Sequence, residues 1–273
     1  MESTAVLKKP SFAETLRNDT WWLEPLLVFL GLGAFIVYAT WAAFQANHYY
    51  AVSYLSPFYS PVIYTDTSVV GSAPIWHALL GEWPSWWPSF LPASPAFLIL
   101  VFPGLFRFTC YYYRGAYYKA FAATPPACAV SGIPQRNYQG ETFLLIFQNL
   151  HRYALYMAIV YVFILMADTA AAFYHQGQFG FGVGTLVLLM NPVLLGGYTF
   201  GCHSFRHLVG GRKDCFSCAG AGPLKNGVYH KVSWLNRNHK LFAWMSLFWV
   251  GFSDVYVRLV SMGIITDLNT WGI

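Results

Sequence analysis

Five long apolar runs, separated by polar or aromatic connections, set the pattern of the chain. They cover about Trp21 to Phe44, about Ala96 to Tyr113 with helix continuing through Tyr118, about Thr142 to Phe173, about Phe181 to Leu208, and about Leu241 to Ile264. At a rise of about 1.5 Å per residue each is long enough to cross the ~30 Å hydrocarbon core of a bilayer. Residues 1–20 make a short polar arm, without the apolar core and small-residue cleavage site of a cleavable signal peptide. Residues 46–93 form a long connection rich in Pro, Trp, Tyr and Ser, in which Trp83, Trp86 and Trp87 are suited to the level of the lipid headgroups. The other long connections are 119–141 and 209–238. The pattern predicts an all-α integral membrane protein, a bundle of five transmembrane helices in one domain spanning 1–273, with no internal repeat.

Composition agrees with the pattern. The chain has 273 residues, of which 56% are hydrophobic and only 10% charged, against about 25% charged in a soluble globular chain. Charge adds orientation. With the N-terminus in the cytoplasm, every Lys and Arg except Arg258 falls on the inner side, a strong positive-inside pattern that places the C-terminus outside. The formal net charge of +5 is therefore a matter of topology and gives no sign of nucleic-acid binding.

The same division sorts the candidate chemistry. Cys110, Cys128, Cys202, Cys215 and Cys218 all fall on the inner side, as do His151, His203, His207, His230 and His239. Cysteines confined to a reducing compartment are expected as thiols or metal ligands rather than disulfides. The stretch from Gly197 to Gly220 is the densest. His203 and His207 share one helix face at a spacing of four, and Cys215 and Cys218 form a CxxC pair. Two imidazoles and two thiolates make the ligand count of a Rieske-type [2Fe-2S] cluster and equally of a zinc site. Depth in the bundle offers a second set, Cys110, His151, Cys202 and His239, one from each of four helices. Paired histidines holding a b-type haem are a third arrangement. Iron–sulfur leads, haem follows and zinc is third, because a bis-histidine haem has no use for so many cysteines. Gly196, Gly197 and Gly201 would let a neighbouring helix or cofactor approach closely. The Tyr-rich run 111–118 reads first as an interfacial belt, and Asp254 with Arg258 as a structural ion pair.

Several blocks carry a resemblance: FTCYYYRGAYYKAF (108–121) with PPACAV (125–130), NLHRYALY (149–156), GCHSFRHLVGGRKDC (201–215) and SDVYVRLVSMG (253–263). Together they resemble the membrane-anchor (C) subunit of actinobacterial succinate dehydrogenase, respiratory complex II, and look nearest to its mycobacterial form. The resemblance implies a five-helix anchor in the plasma membrane, carrying a flavoprotein and an iron–sulfur subunit on its cytoplasmic face and passing electrons to menaquinone or ubiquinone. A higher oligomer of the complex is compatible with it. Anchors of this kind commonly hold two b haems through histidines at two depths. Here His48 and His175 sit at span ends, so an iron–sulfur centre in place of the inner haem is the expectation. The chain has no nucleotide fingerprint and no catalytic residues for succinate oxidation itself. Its expected task is a quinone pocket, with Arg114, Arg237, His239 and Tyr117 as the quinone-binding residues and His239 or His151 relaying protons.

Overall fold

The computed structural model describes residues 10–134, 142–211, 215 and 222–272. Helix dominates. In chain order the elements are α1 (Leu23–Gln45), β1 (Tyr50–Ala51), β2 (Tyr54–Leu55), α2 (Pro95–Ile99), α3 (Val101–Phe108), α4 (Tyr111–Ala120), α5 (Thr142–Ala171), β3 (Tyr174–His175), β4 (Gln178–Phe179), α6 (Val183–Phe200), α7 (His203–Gly210), α8 (Gly222–Arg237) and α9 (His239–Ser261). The four strands pair as two short antiparallel hairpins. The chain divides into two compact units, Met1–Ile36 with Arg107–Leu150, and Val37–Phe106 with His151–Ile273.

Among the described residues three helices are long and apolar enough to cross a membrane: Leu23–Gln45, Gln148–Ala171 and Val183–Phe200. They correspond to the first, third and fourth predicted spans. The other two differ from expectation for local reasons. The second predicted span is broken into α2, α3 and α4, and Cys110 stands between α3 and α4 with an extended backbone (φ −66°, ψ 130°). α9 has 23 residues, enough to cross, but it carries Lys240, Asp254 and Arg258, which lower its hydropathy. The fourth span also ends earlier than predicted. Gly201 caps α6, and the chain turns at Cys202 (φ −62°, ψ 142°) into the separate α7. Within 209–238, predicted as a loop, Gly222–Arg237 is helical.

In the larger unit α6 packs on α9. Gly197 makes this possible, because a methyl group there would overlap the Phe242 ring. At Gly201 the same group would lie 2.9 Å from the Leu235 carbonyl oxygen. Pro192 inside α6 cannot donate a helical hydrogen bond. Close by, the Trp249 indole donates to the Val187 carbonyl at 2.9 Å, tying α9 to the disturbed turn.

The connection after α1 folds into a strap over the helix ends of the same unit. Tyr49 and Tyr59, both buried, stack with centroids 4.3 Å apart. Burial pushes the Tyr59 phenol up to about 12, and its hydroxyl donates to the Ala42 carbonyl at 2.5 Å. The strap is pinned by carboxylates on the helices and beyond them. Ser56 donates to Asp254, Ser60 to Asp168 and Tyr54 to Asp267 at 2.8 Å.

Candidate functional site

In the larger unit imidazole, thiol and aromatic rings from α3, α5, α6 and α9 and the turn after α6 meet in one layer. His151 lies on α5, Cys202 at the turn between α6 and α7, and His239 at the first position of α9. His151 Nε2 is 2.9 Å from Cys202 Sγ, and both residues are buried. The Phe106 ring of α3 stacks on the His151 imidazole at 5.0 Å, with an interplanar angle of 5°. Phe106 in turn meets Tyr198 edge-on at 5.1 Å, and Tyr198 stacks on His239 at 4.7 Å. A continuous run His151, Phe106, Tyr198, His239 results, with Cys202 one helical turn beyond the fully buried Tyr198. Stacking of this kind fixes ring orientation and adds about 0.5–1.5 kcal/mol per pair beyond area burial. Chemically the layer offers one thiol, two imidazoles and a phenol, all buried except half-buried His239.

The sequence-predicted residues fall in both units. From the set with one residue per helix, His151 and Cys202 are in contact, and His239 is reached through Tyr198 and Phe106. Cys110 is buried in the smaller unit, at the start of α4. From the CxxC set, His203 and His207 are exposed on α7. Arg152 donates to His207 Nδ1 at 2.9 Å, which occupies that nitrogen's lone pair. Cys215 is in a disulfide, a departure from the expected reduced thiols, since a disulfide sulfur is not a thiolate ligand. Cys218 lies outside the described residues. Among the described residues no three His, Cys, Asp or Glu side chains come together so as to hold a metal ion.

Of the expected quinone-binding residues, Arg114 and Tyr117 belong to the smaller unit and Arg237 and His239 to the larger. Arg114 donates to Gln148 at 3.1 Å and lies over the Tyr111 ring, 4.7 Å from its centroid. Tyr117 donates to the Phe108 carbonyl at 3.1 Å. Arg237 is exposed in the last turn of α8, two residues before His239. Phe106 and Tyr198 were missed by the sequence reading. Their signal was weak, because aromatic residues make up 19% of the chain and nothing local singles out these two.

Comparison with known proteins gives the family. The family described as actinobacterial succinate dehydrogenase subunit SdhC matches residues 23–263. A chain of the Mycobacterium smegmatis Sdh1 complex in the apo form is 42% identical, with a TM-score of 0.83 over 97% of this chain and 97% of that one. No curated protein matches the chain. A family match over most of the chain, joined to a whole-chain structural likeness at this identity, makes it a member of the actinobacterial SdhC family, the membrane-anchor subunit of succinate dehydrogenase in the bacterial plasma membrane.

Proposed function

We propose that this chain carries the flavoprotein and iron–sulfur subunits of succinate dehydrogenase on the cytoplasmic face, and supplies the site where their electrons reach a membrane quinone. The proposed topology is five crossings, with α2 to α4 as an interrupted second crossing and α9 as the fifth. The N-terminus is inside and the C-terminus outside, supported by the one-sided Lys and Arg distribution. The flavoprotein oxidises succinate to fumarate, releasing two electrons and two protons. The quinone takes up two electrons and two protons to become the quinol.

The observation that carries this reading is the layer of buried His151, Cys202, Phe106 and Tyr198 with half-buried His239, in an anchor of this family. Imidazole can hold and pass a proton near neutral pH. His239, at the beginning of α9, is the proposed proton donor, and Arg114, Arg237 and Tyr117 are kept as proposed quinone-binding residues. A Rieske-type cluster needs two thiolates and two imidazoles converging on its irons. The described residues bring one of each into contact and no third ligand, so they do not fit such a cluster and no electron step is routed through one.

The test uses the intact complex carrying His151→Ala or Cys202→Ser. Succinate oxidation by a soluble dye should persist, while reduction of a menaquinone analogue falls at least about tenfold, the scale of losing one proton-transfer or positioning group. Quinone reduction unchanged in both variants overturns the assignment of this layer. Iron content and reduced-state EPR of the same preparations, compared between wild type and Cys202→Ser, decide whether the layer binds a cluster.

A further inference from the structure

The smaller unit contains a cleft of about 560 Å³, within the size range of small-molecule sites. One wall is a face of α1, where Trp21, Pro25 and Val28 follow one another at helical spacing just before and within its first turns. The opposite wall is a face of α4, formed by Tyr111, Gly115 and Lys119 at the same spacing. The arm before α1 and the segment 126–128 close the ends. A methyl group built on Gly115 meets nothing within 4 Å, so the glycine leaves this wall recessed.

The lining is graded. Arg17, Asp19, Glu24 and Lys119 bring formal charge to the cleft, while Pro25 and Val28 continue along the apolar α1. Arg17 is already committed. It holds Asp19 through two hydrogen bonds, one of them Nε to Oδ1 at 2.7 Å, and donates to the Cys128 carbonyl at 2.8 Å. Lys119 makes no hydrogen bond or ion pair among the described residues. Trp21, Trp22 and the tyrosines of α4 form the kind of aromatic belt that lies at the headgroup level. A cleft with a free ammonium at the belt and an apolar wall running along a spanning helix matches a molecule with a charged head and a hydrocarbon tail. A quinone head is uncharged and calls for hydrogen-bond donors rather than formal charge. A phosphodiester matches better, because an ammonium binds phosphate as a point charge.

We propose that this cleft seats a membrane phospholipid, its phosphate on Lys119 and one acyl chain lying along α1 past Pro25 and Val28. This site is separate from electron transfer to quinone, and its test does not depend on turnover.

The purified complex is stripped of lipid by detergent exchange and incubated with isotope-tagged dioleoyl phosphatidylethanolamine. Retained lipid is then counted by native mass spectrometry. Wild type should hold one more tagged lipid than Gly115→Leu, whose side chain fills the recess. Lys119→Ala should lower that occupancy about tenfold, and Lys119→Arg should restore it, since either cation meets a phosphate. Both Gly115→Leu and Lys119→Ala should keep the wild-type subunit mass and dye-linked succinate oxidation. Equal occupancy in wild type and both variants overturns the proposal. Displacement of the tagged lipid by millimolar inorganic phosphate, or by an equimolar menaquinone analogue, also overturns it, in favour of a free-phosphate or a quinone site.

Discussion

The two ends of the larger unit treat buried chemistry in opposite ways. At one end, His151, Cys202, Tyr198 and His239 are joined by ring stacking and a thiol–imidazole contact. At the other, carboxylates are saturated by donors from several parts of the chain. Asp254, completely buried, accepts from Tyr38 at 2.5 Å, from Ser56, and from Arg258 Nε at 3.4 Å. Arg258 in turn donates to the Asn47 carbonyl at 2.9 Å and lies over the Trp41 ring. Asp267 takes the hydroxyls of Tyr54 and Tyr256 and the Gly184 backbone amide. The ends are far apart: His151 to Asp168 along α5 is about 26 Å, and His239 to Asp254 along α9 is about 22 Å. An ionisable residue at membrane depth is by default a sign of function. Here buried carboxylate and guanidinium sit at the end where they hold the chain together, and the other end buries thiol, phenol and imidazole instead.

If that division is right, substitutions at the two ends should part stability from turnover. The largest effect is expected from Arg258→Met, which leaves Asp254 buried without its cation. Breaking a buried pair in this way costs about 3–5 kcal/mol. Assembled complex should fall sharply in yield and Tm, while quinone reduction per assembled complex stays near wild type. Adding Asp254→Asn should recover part of the loss, because the uncompensated charge is then gone. Phe106→Leu, at the other end, is expected to do the reverse. Loss of its two stacking pairs costs about 1–3 kcal/mol, less than the buried ion pair, yet it removes the ring that orients His151, so quinone reduction per assembled complex should drop several-fold. Tyr54→Phe deletes one of three donors to Asp267 and should cost about 1 kcal/mol, read as a Tm shift with no change in turnover.

The smallest effect concerns pH. Burial lowers the pKa of His77 below its ordinary value, and Asp168, 3.9 Å away, only partly offsets this. The folded chain therefore binds this proton less readily than the unfolded chain. Stability should rise with pH across the window just below the ordinary histidine value of about 6.5 and be lost on acidification through it. His77→Gln should flatten this part of the Tm–pH profile.

How much of this was legible in the sequence follows from the range of the interactions. The apolar runs of α1, α5 and α6 announce themselves locally, and so does the reach of His151 and Cys202 to a common level, since depth along antiparallel helices is a matter of counting. The break before Cys110 was less visible, because α2 to α4 remain apolar and aromatic throughout. α8 lies in a stretch of low hydropathy that reads as a loop, although Leu224, Val228 and Val232 recur at helical spacing after Pro223. The carboxylate end could not have been read at all. Ser56 and Asp254 are 198 residues apart and Tyr54 and Asp267 are 213 apart, so only the folded chain brings them together. The expectation of a metal ligand at Cys215 rests on spacing, and spacing does not say whether a sulfur meets a metal or another sulfur.

The Asp254–Arg258 pair also bears on how the protein is made. Synthesis runs from the N-terminus, so Tyr38, Trp41, Asn47 and Ser56 leave the ribosome long before α9, whose groups they will bind. Acid and base one turn apart let the outer half of α9 enter the bilayer with its two charges already paired. The early segments must wait, with their hydroxyls and carbonyl uncommitted, until the final helix arrives. A nascent chain stopped short of α9 would lack that closing piece, and quality-control proteases would have an unfastened strap on which to act.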